Sequence, residues 1–179
     1  MSFGFLPAKK AGKHYELAEL AVHKLKSANF QLKGHTEKEY EHIIISHLQS
    51  STKIRHNLIT QIREDEVEAN ESYKNSNAAI FGIKHKPEFT IGIDGTAIEI
   101  KVMTNEQTMR DILGQGIVYR MSFRFVILLF VDNTPDRSIV RLCRDKKSQE
   151  YSLLKGLSGS YNIMSVIGPL GQSKSLVFK

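Results

Sequence analysis

Residues 86–102, KPEFTIGIDGTAIEIKV, alternate apolar and polar side chains on either side of an Asp94-Gly95 pair. Successive side chains of a strand point to opposite faces, so a period of two is strand patterning. Asp-Gly is favoured where a two-residue type I′ turn demands positive φ at both central positions. The stretch therefore reads as a β-hairpin. With the turn centred on Asp94-Gly95, Glu88 faces Lys101 and Thr90 faces Glu99. Phe89, Ile91, Ile93, Ile98, Ile100 and Val102 then form the core face. Glu88, Thr90, Glu99 and Lys101 share the other face, at the open end of the hairpin. Two carboxylates and an ammonium suit a divalent cation and an attacking water. They equally suit a solvent face tied by cross-strand ion pairs, and periodicity alone leaves both readings open.

Pro87-Glu88, ten further residues and then Glu99-Ile100-Lys101 resemble the motif of the PD-(D/E)xK nuclease superfamily. Glu88 stands where that family usually carries Asp, and remains an oxygen ligand. The resemblance implies that Glu88 and Glu99, with the backbone carbonyl of Ile100, hold Mg²⁺ or Mn²⁺, while Lys101 assists the nucleophilic water. A second element follows. Gln115-Gly-Ile-Val-Tyr119 resembles the QxxxY element of the RecB-like branch, which sits on the helix after the ExK strand. Gln115 and Tyr119 are one helical turn apart and share a face. The resemblance gives them the role of supporting the lysine and the phosphate. A glutamate on the first core helix often completes the metal site in this family. Glu41 is the candidate and Glu37 the next, whereas Glu39 is accounted for as a capping acid.

The fold that the resemblance implies is α/β: a restriction-endonuclease-like αβββαβ core, with a central mixed sheet flanked by helices, over about residues 36–131. The chain is read as a single domain, 1–179, with residues 1–30 as an N-terminal accessory helix. The local signals agree with that order. Residues 14–28 read as a helix with Leu17, Leu20, Ala21 and Leu25 on one stripe. Thr36 and Glu39 form a capping box that opens a helix over 36–49, with Tyr40, Ile43, Ile44 and Leu48 on its apolar side. Residues 56–71 are predicted helical, 72–78 a loop, and Ala79–Ile83 a first strand. Thr104 with Gln107 predicts a capping box for a helix ending near Arg120, its buried stripe Met109, Ile112, Leu113 and Ile117. Gly114 and Gly116 weaken that helix, and close backbone packing or approach of a phosphate would account for them. FVILLFV at 125–131 is the uninterrupted apolar run of a strand buried on both faces. A helix is predicted over 137–150, and late strands over 162–167 and 175–178.

Charge is uneven along the chain. Residues 1–60 hold nine Lys/Arg against five acids, 61–106 five against nine, and 107–179 eleven against five, for a net +6. Glu88 and Glu99 thus lie in the acidic middle, and the basic flanks are able to track phosphates. Arg110, Arg120 and the cluster Arg141, Arg144, Lys146 and Lys147 are the candidate DNA-backbone contacts. The single cysteine, Cys143, excludes an intramolecular disulfide and fits a reducing compartment. No apolar run approaches a membrane span, so the expected setting is cytoplasmic or otherwise inside a cell. Zinc signatures and a G-x-S-x-G motif are missing. His42 and His47 are wrongly spaced for a helical metal pair, His85 is best read as a surface histidine, and GPLGQSKS at 168–175 fails the P-loop spacing.

Together these features predict a Mg²⁺- or Mn²⁺-dependent deoxyribonuclease, an endonuclease rather than an exonuclease, acting on DNA and expected as a homodimer. The alternatives are a non-catalytic nucleic-acid-binding module of the same fold, or a structural protein whose hairpin charges are merely ion-paired.

Overall fold

The computed structural model describes residues 9–28, 36–60, 78–80, 83–169 and 175–179. Helices α1 (Lys13–Ser27), α2 (Glu37–Gln49) and the single turn α3 (Thr52–Arg55) precede strand β1 (Leu58–Thr60). Strands β2 (Ala78–Ile80), β3 (Ile83–His85), β4 (Phe89–Ile91) and β5 (Thr96–Met103) follow. Helix α4 (Glu106–Arg120) leads to β6 (Phe125–Asp132), then α5 (Ser138–Arg144), α6 (Gln149–Tyr161), β7 (Ile163–Pro169) and β8 (Leu176–Phe178). Six strands form one mixed sheet in the order β1-β4-β5-β6-β7-β8. The β1/β4, β4/β5 and β7/β8 pairs are antiparallel, and β5/β6 and β6/β7 are parallel.

Two apolar layers enclose the sheet, which makes the fold α/β. On one side, Leu17, Ala21 and Leu25 of α1 and Tyr40, Ile44 and Leu48 of α2 pack with Phe89, Ile98, Ile100, Ile127 and Leu129. On the other, Ile112 and Tyr119 of α4, Cys143 of α5 and Leu154 of α6 pack with Ala97, Val126, Leu128 and Phe130. All eight residues of β6 are buried, as an apolar run between two helical layers requires. Helix α1 is thus part of the core. His47 Nε2 of α2 donates to the Lys24 carbonyl at 2.8 Å, and Lys179 Nζ reaches Glu19 Oε1 at 2.7 Å, so both α2 and the C-terminus are tied to it.

The capping box at Thr36 and Glu39 is present, with the Thr36 N–H donating to Glu39 Oε2 at 2.6 Å. Other local expectations shift. Helix α4 starts one residue later than Thr104 predicted: Asn105 is its N-cap and accepts from Thr108 N–H, while Gln107 turns to Asp111. Ile117 is on the exposed side of α4. The helix predicted over 137–150 is two helices, broken where Asp145 closes α5 and Ser148 caps α6. The helix predicted from residue 56 gives way to β1, and Ala79, Ile80 and Ile83 belong not to the main sheet but to a separate two-stranded β2/β3 sheet, with residues 81 and 82 outside the described residues. The rest of the 56–71 helix and most of the 72–78 loop lie outside the described residues, as do residues 170–174 of the glycine-rich stretch.

The central hairpin exists, but in another register. Phe89 pairs with Ile98, Thr90 with Ala97 and Ile91 with Thr96, leaving Gly92–Gly95 as a four-residue loop. Gly92, at φ 75°, supplies the positive φ. Asp94 and Gly95 are used by β6 instead: their carbonyls accept from Arg124 N–H and Phe125 N–H, both at 3.0 Å, and Arg124 Nη2 holds Asp94 Oδ2 at 2.8 Å. The shift is two residues, so the faces are kept. Its effect is to bring Glu88 opposite Glu99 rather than Lys101, and to leave Ile93 exposed in the loop.

Candidate active site

Strand β4 pairs with β5 only over Thr96–Ile98, whereas β5 continues beside β6 to Met103. From Glu99 onward the outer edge of β5 has no strand beside it among the described residues. Into this notch come Glu88, just ahead of β4, Glu99 and Lys101 from β5, Tyr119 from α4, and Glu37 and Glu41 from the first turns of α2. Glu37 and Glu41 are four residues apart and so project together from the helix.

Glu99 is 2% exposed. Tyr119 O–H lies 3.1 Å from both Glu99 Oε2 and the Lys86 carbonyl, and the backbone N–H of Glu88 also donates to the Glu99 carboxylate. Lys101 Nζ donates to Glu37 Oε1 at 2.6 Å and lies 3.7 Å from Glu99 Oε1. Carboxylate oxygens of Glu37, Glu41 and Glu88 all fall within 4.8 Å of one another. Ile100 sends its side chain into the opposite core, so only its backbone is able to serve the notch.

Electrostatics follow from this crowding. Burial, then the charge of Glu88, push the Glu99 carboxyl up to about 7, against the weaker pull of Lys101 and Tyr119. Glu88 is raised by burial and by Glu41, and Glu41 by burial and by Glu37. Lys101 is lowered by burial, but Glu37, Glu99 and Glu88 together outweigh it and raise its pKa, keeping the ammonium charged. The Tyr119 phenol is raised by burial and by Glu99, so it remains a donor. Four carboxylates around one ammonium leave uncompensated negative charge in a partly desolvated notch. Hard oxygen donors so disposed fit Mg²⁺ or Mn²⁺ better than a soft metal.

The structure thus brings together Glu88, Glu99, Lys101, Tyr119 and Glu41 from the sequence-predicted set. It adds Glu37, ranked second from the sequence, as the direct partner of Lys101. Tyr119 supports Glu99 rather than the lysine. Gln115 is half-buried one turn away, its Oε1 buried without a hydrogen-bond partner among the described residues. Of its flanking glycines, Gly116 is packed so that a Cβ would lie 3.0 Å from Leu128 of β6, while Gly114 faces open space.

The basic candidates fare differently. Arg120 is 3% exposed, with its Nε donating to the Tyr161 carbonyl and its Nη1 to that of Phe123, both at 2.7 Å. It ties the end of α4 to α6 and is unavailable to phosphate, a correction that follows from its burial. Arg141 is exposed and paired with Asp136 at 3.0 Å. Arg110 and Arg144 are exposed on α4 and α5. Lys146 and Lys147 are exposed in the turn after α5 rather than on its helix. Cys143 is buried, its thiol pushed up to about 12 by burial. No helix among the described residues is long and apolar enough to cross a membrane. No family model, curated protein or solved structure matches this chain.

Proposed function

We propose that this protein is a Mg²⁺-dependent nuclease that hydrolyses DNA phosphodiester bonds. The observation that carries the reading is the convergence of Glu88, Glu99 and Lys101 with Glu37 and Glu41 of α2 in one notch. Supporting it, α2, β1, β4, β5, α4 and β6 run in the order αβββαβ once the single turn α3 and the small β2/β3 pair are set aside. That is the core expected of a restriction-endonuclease-like fold.

Glu88, Glu99 and Glu41, with the Ile100 carbonyl, are the residues that would hold the cation. A cation there supplies an acidified water and a counter-charge for the phosphate. Glu37 fixes the Lys101 ammonium, and the charged Lys101 orients the attacking water and faces the charge that builds on the phosphate. Tyr119 pins Glu99 and Lys86, which sets the side chain of Glu99 and the chain direction into Glu88. Gln115, with a free buried oxygen one turn from Tyr119, is placed to orient a water or a substrate group.

The test is cleavage of supercoiled, linear, single-stranded and branched DNA with Mg²⁺ or Mn²⁺, beside EDTA controls and Lys101→Ala. Metal-dependent cutting that falls at least about a thousandfold in the variant supports the reading, since the lysine acts on the reacting centre. Absence of cutting on every form sinks it. Metal-independent DNA binding without cutting would identify a non-catalytic module.

A further inference from the structure

Without a bound cation, the proposed nuclease site repels the phosphates it must approach, because its four carboxylates outnumber its one ammonium. Affinity for a polyanion must then come from cations elsewhere. Two segments without acidic residues, KKAGKHY at 9–15 and STKIRHN at 51–57, are distant in sequence and meet in space. Lys13 of α1, Lys53 of α3 and His56 just after α3 line one open groove of about 520 Å³, over an apolar floor of Leu17 and Leu20. Glu16 is the only acid in its lining. Among the described residues, none of the three basic side chains has a carboxylate partner. Lys9, Lys10 and Arg55, exposed in the same two segments, add to the positive charge.

The groove is mechanically joined to the site. Gly92 N–H, in the loop of the catalytic hairpin, donates to the Asn57 carbonyl at 2.8 Å. Helix α2 starts with Glu37 at the site and ends three residues before α3. Its 13 residues span ~20 Å, the axial length of about six base pairs. We propose that the α1–α3 groove binds the sugar-phosphate backbone of duplex DNA, about six base pairs from the scissile bond. This rests on the nuclease reading for its distance to the chemistry, but not for the binding itself.

The experiment is fluorescence anisotropy of the full chain with a labelled duplex of roughly 30 base pairs, in EDTA so that nothing is cut, over a salt series. Lys13→Gln/Lys53→Gln should weaken binding about tenfold or more and reduce the slope of log K against log salt by about 2, since each phosphate contact contributes ~0.9. Lys53→Gln alone should reduce it by about 1. Both residues are exposed, and circular dichroism checks that the fold is kept. An unchanged slope and affinity overturn the proposal. So does a result in which the variant binds DNA normally but loses binding to phosphatidylserine vesicles, which would make the groove a membrane contact. If these slope changes are seen while the same chain, given Mg²⁺ or Mn²⁺, cuts no DNA, the nuclease reading falls and the groove stands.

Discussion

Two buried carboxylates sit on neighbouring strands of this sheet, and their surroundings could hardly differ more. Asp132 ends β6, fully buried. Its Oδ1 accepts from Thr134 N–H and O–H at 3.0 and 2.6 Å, and its Oδ2 from Val140 N–H at 2.9 Å. Every contact is a donor, and the result is a fixed start for α5. Glu99 on β5 also has donors, but it faces Glu88, with Glu37 and Glu41 beyond. Burial with donors makes a structural acid; burial against like charge stores electrostatic energy that a cation releases. The comparison separates architecture from site where burial alone does not.

The largest expected effect breaks the structural side. Asp132→Ala leaves buried N–H groups unsatisfied and should cost about 3 kcal/mol or more, read as a lower urea midpoint. The site side should respond in the opposite sense. The Glu99 carboxyl is raised from 4.5 to about 7, so between those values the folded state binds the extra proton. Stability contributed by this group is full below pH 4.5 and is lost as pH rises through 7. Glu99→Gln should therefore gain about 3 kcal/mol at pH 8 and almost nothing at pH 4.5, read as the difference in urea midpoints. A variant destabilised equally at both pH values would place Glu99 with Asp132.

Glu37→Gln sharpens the comparison further. It removes the charged partner of Lys101, so kcat should fall by about tenfold to a hundredfold with KM little changed, while Glu37→Asp retains part of the rate. Unchanged kinetics would make that ion pair an ordinary surface contact. The smallest effects fall on the glycines of α4. Gly114→Ala should stabilise by about 0.5–1 kcal/mol, since nothing meets the added carbon. Gly116→Val should destabilise by about 1–3 kcal/mol as it presses on Leu128.

Much of the site was legible because alternation fixes faces even when register is wrong. Glu88, Glu99 and Lys101 share a side in any register shifted by two, so the four-residue loop at Gly92–Gly95 moved partners without moving faces. What alternation could not convey was which of them would pair. The Lys101–Glu37 bond joins residues 64 apart in sequence, and only the packing of α2 beside β5 creates it. Arg120 and Arg141 look alike in sequence, yet one is buried against carbonyls and the other is exposed. The β1 strand, three residues after the turn of α3, was hidden because its pairing with β4 is non-local. The break between α5 and α6 was carried by Ser148, a readable cap that the basic run around it obscured.

Cys143 gives this molecule a built-in clock. The only thiol of the chain, on the buried side of α5, is sealed in the core with α6, its ionisation suppressed. Alkylating reagents must wait for that half of the core to open. The labelling rate therefore counts openings, and its logarithm falls in proportion to any free energy that a bound ligand adds to the closed form. Any ligand that binds the distant notch would be measurable on a sulfur atom that takes no part in holding it.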